Sequence, residues 1–137
     1  MVRANPEVTP FSWPVRVYYE DTDTGGVVYY ANYLKFFERA RTEWLRNFGL
    51  NQDKLAQEED LIFVVRRARL DFVRPARLDD MLEVTVEPVK VARVYVELAQ
   101  EARRGAQLLA RAEIQVACLD RRSLKPAAMP PGLKGIL

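Results

Sequence analysis

A chain of 137 residues, 29% charged and 49% hydrophobic with a formal net charge of +2, is one ordinary globular domain, large enough to bury its own core. Its single cysteine, Cys118, excludes an intramolecular disulfide and a cysteine-based zinc site. Histidine is absent, which removes Ser-His-Asp and Cys-His catalysis and histidine-ligated metals, so acid–base chemistry must come from carboxylates, tyrosines or lysines.

The opening "MVRANPEVTPFSWP" holds no apolar run of signal-peptide length, and no later stretch is long enough to span a membrane. A cytoplasmic protein without membrane insertion is expected, and the mild charge gives no reason to expect nucleic acid as a partner. Val15 and Val17 alternate with Arg16 and Tyr18, the pattern of a strand. From Tyr33 the period changes: Leu34, Phe37, Ala40, Trp44 and Phe48 recur every three or four residues with charged residues between them. This predicts an amphipathic helix of about four or five turns, with Asn32 as its N-cap and Gly49 as its stop. After a polar stretch near Gln52 to Asp60 come four strands, at 61–73, 81–91, 93–103 and 107–120. The last puts Leu108, Ala110, Ala112, Ile114, Val116 and Cys118 on one face. Pro126, Pro130 and Pro131 cannot continue a sheet, so the tail is expected to lie over the surface.

The order of one strand, one long helix and four strands joined by short turns predicts an α+β fold. An antiparallel sheet curls around a single long helix in a single domain over residues 1–137. One helix covers one face, so subunit association is expected to supply further cover.

The stretch "EDTDTGGVVYYANYL", residues 20–34, admits three readings. Asp21, Asp23 and Gly26 fall at positions one, three and six of a calcium loop. The twelfth position is Asn32 where a bidentate Glu is needed, and no helix precedes it. A plain strand-to-helix turn would use Gly25 and Gly26 for unusual backbone angles and the aspartates to complement the helix dipole. A hydrolytic site is the third reading. Free N–H groups at a helix start stabilise an oxyanion, glycines let a substrate reach the main chain, and a carboxylate attacks a carbonyl or activates water. Such a site needs neither histidine nor metal.

"VRVYYEDTDTGGVVYYANYLKFFERARTEWL" (15–45) resembles the 4-hydroxybenzoyl-CoA thioesterase family of hotdog-fold enzymes, most of all its branch of small acyl-CoA thioesterases associated with the Tol-Pal system. The likeness rests on T-D-x-x-G-V-V (Thr22, Asp23, Gly26, Val27, Val28), then Asn32-Tyr33, and extends through "FVVRRARLDFVRPARLDDMLEV" (63–84). The resemblance implies a thioesterase cleaving acyl-CoA to a carboxylic acid and CoA, without cofactor or metal, as a homodimer or homotetramer. It implies Asp23 as the catalytic carboxylate, nucleophile or general base, and the Tyr30 backbone N–H as oxyanion donor. Many members of that branch carry His where this chain has Tyr30. Hotdog folds also host dehydratases, which use His, and an acyl-thioester binding or scaffold role stands beside the enzymatic one. Asp21 is read as a turn or capping residue, and Glu38 as a partner of Arg41 or Thr42.

Overall fold

The computed structural model describes residues 10–133. Five strands, β1 (Phe11–Arg16), β2 (Leu61–Phe72), β3 (Met81–Val91), β4 (Tyr95–Arg104) and β5 (Gln107–Asp120), form one sheet in the order β1-β3-β4-β5-β2, antiparallel throughout. Because β1 and β2 stand at opposite edges, the chain between them must cross the sheet. It does so through α1 (Asn32–Asn47) and α2 (Gln52–Glu59).

The strands follow the alternation in the sequence. Leu82, Val84 and Val86 of β3 are buried, while Glu83 between them is exposed. Ala110, Ala112, Ile114, Val116 and Cys118 of β5 line the same core. A bulge where β4 meets β5 changes the start of β5. Ala102 pairs with Ala110 but Arg103 with Leu108, so Leu109 is the residue fully buried and Leu108 is only half-buried. An irregularity of this kind turns the next side chain to the other face.

α1 packs mainly against β1, β3 and β4. Its buried stripe is Tyr33, Phe36, Phe37, Ala40, Trp44 and Leu45, whereas Leu34 and Phe48 are exposed. The buried arc thus sits slightly around the helix from the one expected, because the helix lies toward one side of the sheet. Phe36 and Phe37 are fully buried, each contributing on the order of 1.5–3 kcal/mol relative to exposure. The helix stops at Gly49 as expected. That residue takes φ +76°, its N–H reaches the Arg46 carbonyl at 2.9 Å, and the Leu50 N–H reaches the Leu45 carbonyl at 3.1 Å. These paired bonds form a Schellman closure.

Three further expectations change. Asn32 is the first helical residue rather than the N-cap; Ala31 precedes it with no side-chain cap bond. The polar stretch after Gly49 is a second, eight-residue helix, capped by the Asn51 side chain on the Lys54 N–H at 3.1 Å and ended by Asp60 at φ 53°. Its polarity concealed it, since Leu55 alone on this helix is buried. The tail also does more than cover the surface. Ala127 N–H bonds the Cys118 carbonyl and Met129 N–H the Arg93 carbonyl, which carries Met129 and Leu133 into the core at 2% and 1% exposure.

Candidate active site

β1 continues through Val17, whose N–H donates to the Asp80 carbonyl at 2.9 Å and whose carbonyl accepts the Asp79 N–H at 3.0 Å. A single 3-10 turn at Tyr19–Asp21 then redirects the chain into a tight hairpin closed by a Thr22–Val28 bridge. Inside it the Asp23 N–H donates to the Val27 carbonyl at 2.9 Å, and the Gly26 N–H donates to the Asp23 carbonyl at 3.1 Å. Gly26 sits at φ +78°, a conformation that costs other residues. Gly25 serves differently: a Cβ there would come within 3.2 Å of Asp23 Oδ1. Its N–H donates to that oxygen at 2.8 Å. The turn therefore holds the Asp23 carboxylate at the hairpin tip while leaving the residue exposed.

Asp21, two residues earlier, is 2% exposed. Its Oδ2 accepts the Tyr18 N–H at 2.8 Å, its Oδ1 accepts the Asn32 amide at 2.9 Å, and its carbonyl accepts the Tyr29 N–H at 3.0 Å. One carboxylate thus ties the 3-10 turn to the head of α1, and the same residue's main chain holds the hairpin. Those bonds leave Asp21 committed to the fold, which disfavours it as the first ligand of a calcium loop. Among the described residues no group of three or more acidic or cysteine side chains is placed to hold a metal ion.

Tyr29 and Tyr30 follow the hairpin and are exposed, with ring centroids 4.7 Å apart. Side-chain hydrogen bonding with Tyr30, and then repulsion between the two phenolates, pushes the Tyr29 phenol above its ordinary range. The Tyr30 ring meets Phe72 of β2 edge-on at 6.1 Å. The Tyr30 carbonyl accepts the Tyr33 N–H at 3.3 Å, and among the described residues no acceptor takes the Tyr30 N–H. Behind the pair, the buried Tyr33 hydroxyl accepts the Ala76 N–H at 3.1 Å, and the Ala76 carbonyl accepts the Val28 N–H at 2.8 Å. Burial, the largest influence, pushes the Tyr33 phenol up, so it stays neutral and able to serve both as acceptor and as donor.

The structure therefore brings Asp23 and Tyr30 onto one short hairpin-to-helix segment. It assigns Asp21 and Asn32 to bracing that segment, a pairing across the loop that spacing alone did not reveal. Glu38 is exposed and accepts the Thr42 hydroxyl at 3.2 Å, as expected. Arg66, Arg67, Arg69, Arg74 and Arg77 are all exposed.

A five-stranded antiparallel sheet carrying one long helix, with an exposed carboxylate on the hairpin that leads into that helix, has the layout of a hotdog-type protein of the thioesterase kind. Residues 17–137 match the family model described as the Thioesterase-like superfamily, and the chain belongs to that family. It is 48% identical over 124 residues to the acyl-CoA thioesterase YbgC of Haemophilus influenzae, covering 90% of this chain and 91% of that protein. Against the acyl-CoA thioester hydrolase YbgC of Escherichia coli it is 46% identical over 126 residues, covering 91% and 93%. Among solved structures, a probable thioesterase from Bartonella henselae superposes with a TM-score of 0.85 at 35% identity, over 89% of this chain and all of that one. A 1,4-dihydroxy-2-naphthoyl-CoA thioesterase from Synechocystis gives 0.84 at 28% identity, over 90% and 92%.

Proposed function

We propose that this protein is an acyl-CoA thioesterase: water and an acyl-CoA thioester go to a carboxylic acid and free CoA. The single observation that carries the site is the Asp23 carboxylate, held by the Gly25 N–H at 2.8 Å at the approach to α1 and exposed to incoming substrate. Family membership and the two relatives at 46–48% identity support the reaction class.

In this reading the thioester carbonyl oxygen lies against the Tyr30 N–H, which carries negative charge as the tetrahedral centre forms. Asp23 either attacks the carbonyl carbon, giving a mixed anhydride that water opens, or takes a proton from the attacking water. In both routes the carbon–sulfur bond breaks, the thiolate leaves as CoA and acquires the proton that water gave up. A single turnover in heavy-oxygen water that labels the Asp23 side chain, or a mixed anhydride trapped by hydroxylamine, marks the nucleophile; label in the product acid with no anhydride trapped marks the base.

Asp23→Asn tests the assignment. Removing this exposed carboxylate should lower kcat/KM for thiol release by about a hundredfold or more, with the thermal transition unchanged. Near-normal hydrolysis would reject Asp23 as the reacting group, and wild-type protein that binds acyl-CoA without releasing thiol would make it a binder instead.

The same reading has the protein working as a homodimer or a dimer of dimers in the cytoplasm. The dimer is supported by β2, a 12-residue edge strand with Val65 and Phe72 half exposed. A long edge strand that leaves apolar side chains half exposed is normally covered or paired, and pairing it would bring a second chain beside Tyr30. No helix among the described residues is long and apolar enough to cross a membrane.

A further inference from the structure

Among the described residues Asp21 is the only acidic side chain that is buried, at 2% exposure. No cation among them pairs with it: the ion pairs join Glu43, Glu101, Asp80 and Asp60 to arginines and leave Asp21 out. Taking a carboxylate from water without a counter-charge costs stability, and hydrogen bonds offset only part of that cost. A strand-to-helix turn needs no buried charge to close. What this carboxylate adds is a fixed geometry.

Its two oxygens serve two elements. Oδ2 accepts the N–H of Tyr18, just past β1, at 2.8 Å, and Oδ1 accepts Nδ2 of Asn32, the first residue of α1, at 2.9 Å. An ionised carboxylate only accepts, so the Asn32 amide must turn its nitrogen toward it, and both side chains are locked. The Asp21 carbonyl takes the Tyr29 N–H at 3.0 Å. The Tyr30 N–H is then the first past the hairpin to have no acceptor among the described residues. Asp23 leaves the same anchor two residues on. The return arm is held separately, by the Val28 N–H on the Ala76 carbonyl at 2.8 Å and by the Val27–Arg77 bridge. Weakening the Asp21–Asn32 bond therefore loosens the head of α1 against the Asp23 carboxylate without undoing the hairpin.

The inference rests on the acyl-CoA hydrolase reading above. We propose that Asp21 is a positioning residue of that reaction: through Asn32 and the Tyr29 N–H it sets the distance and direction between the Asp23 carboxylate and the Tyr30 N–H. Those two groups act on one carbonyl, the first at its carbon or at the water beside it, the second at its oxygen. They serve only when both reach it together. The demand is strongest in the transition state, so a displaced helix head lowers kcat and leaves KM nearly alone.

The test is an exchange of the two side chains, followed as thiol release. The substrate is whichever member of a series from acetyl-CoA to palmitoyl-CoA, with benzoyl-CoA, wild type turns over fastest. Each variant is measured at a temperature where circular dichroism shows it fully folded. Asn32→Asp sets one carboxylate against another and should lower kcat about a hundredfold, the scale of a misplacement of about 1 Å, with KM within about threefold. Adding Asp21→Asn restores both hydrogen bonds with their roles reversed: the new amide donates to the new carboxylate, and its oxygen keeps the Tyr18 N–H. The kcat should then return to within about fivefold of wild type. Asn32→Ala removes the donor without adding charge and should lower kcat about tenfold at unchanged KM; it carries the test if Asn32→Asp does not fold. Folded single variants that turn over at the wild-type kcat would overturn the positioning role, as would a double exchange that regains thermal stability but not kcat. Either result leaves the hydrolase standing. Wild type that releases thiol from no member of the series would remove the underlying reading instead.

Discussion

Asp21 and Asp23 are two residues apart and live in opposite surroundings. Asp21 is buried with both oxygens engaged by Tyr18 and Asn32, whereas Asp23 is exposed, with one oxygen on the Gly25 N–H. The difference follows from the 3-10 turn, which swings the first carboxylate inward and leaves the second on the hairpin tip. The tyrosines divide in the same way, and their single-atom variants should separate. Tyr30→Phe removes an exposed hydroxyl and leaves the main chain alone, so activity should stay within about threefold and stability should not move; a loss of about tenfold or more would instead make the phenol a hydrogen-bond donor in the reaction. Tyr33→Phe deprives the buried Ala76 N–H of its acceptor. It should cost about 1–3 kcal/mol in denaturant unfolding, and an unchanged midpoint would mean that the loop at Ala76 finds another partner.

At the scale of elements, α1 was legible because its length and period are strong, and its end was legible because Gly49 is the one residue type that takes φ +76° freely. Gly49→Ala should therefore lower stability by roughly 1 kcal/mol, since the left-handed conformation costs a Cβ-bearing residue about that much; an unaltered thermal midpoint would show the closure to be dispensable. The start of α1 was misjudged for a physical reason. Asn32 is a good cap by type, but its amide is drawn to Asp21 across the loop, a contact no local rule contains. α2 was missed because a short helix that buries only Leu55 presents no apolar stripe. Gln100 shows the converse: nothing in "RVYVELAQEAR" indicates that this one amide is fully buried and joins α1, β3 and Arg41.

For the molecule as a whole, the two sheet edges differ. β1 is six residues long and carries Pro14, a residue suited to an edge; β2 is twelve residues long and apolar on its core side. Association through β2 is the expected outcome, with the candidate site close to the junction because Phe72 of that strand touches Tyr30. Light scattering at micromolar concentration should find a dimer or tetramer. Glu or Lys placed at both Val65 and Phe72 should shift the protein toward monomer and reduce hydrolysis along with it. A fully active wild-type monomer would refute the arrangement.

Alternation and period are local properties, so the sequence alone determined four of the five strands to within a few residues, the long helix, the α+β class and the motif that contains Asp23. The motif around Thr22–Val28 and Asn32–Tyr33 carried the family likeness for the same reason, because its residues are contiguous. Only the tertiary structure decided which aspartate is buried, that Leu109 rather than Leu108 enters the core, and that Met129 and Leu133 return to close a cavity beside α1. Each of those outcomes depends on a partner distant in the chain or on a pairing irregularity. A single shifted residue or a single long-range hydrogen bond reverses the face a side chain presents, and neither leaves a periodic trace in the sequence.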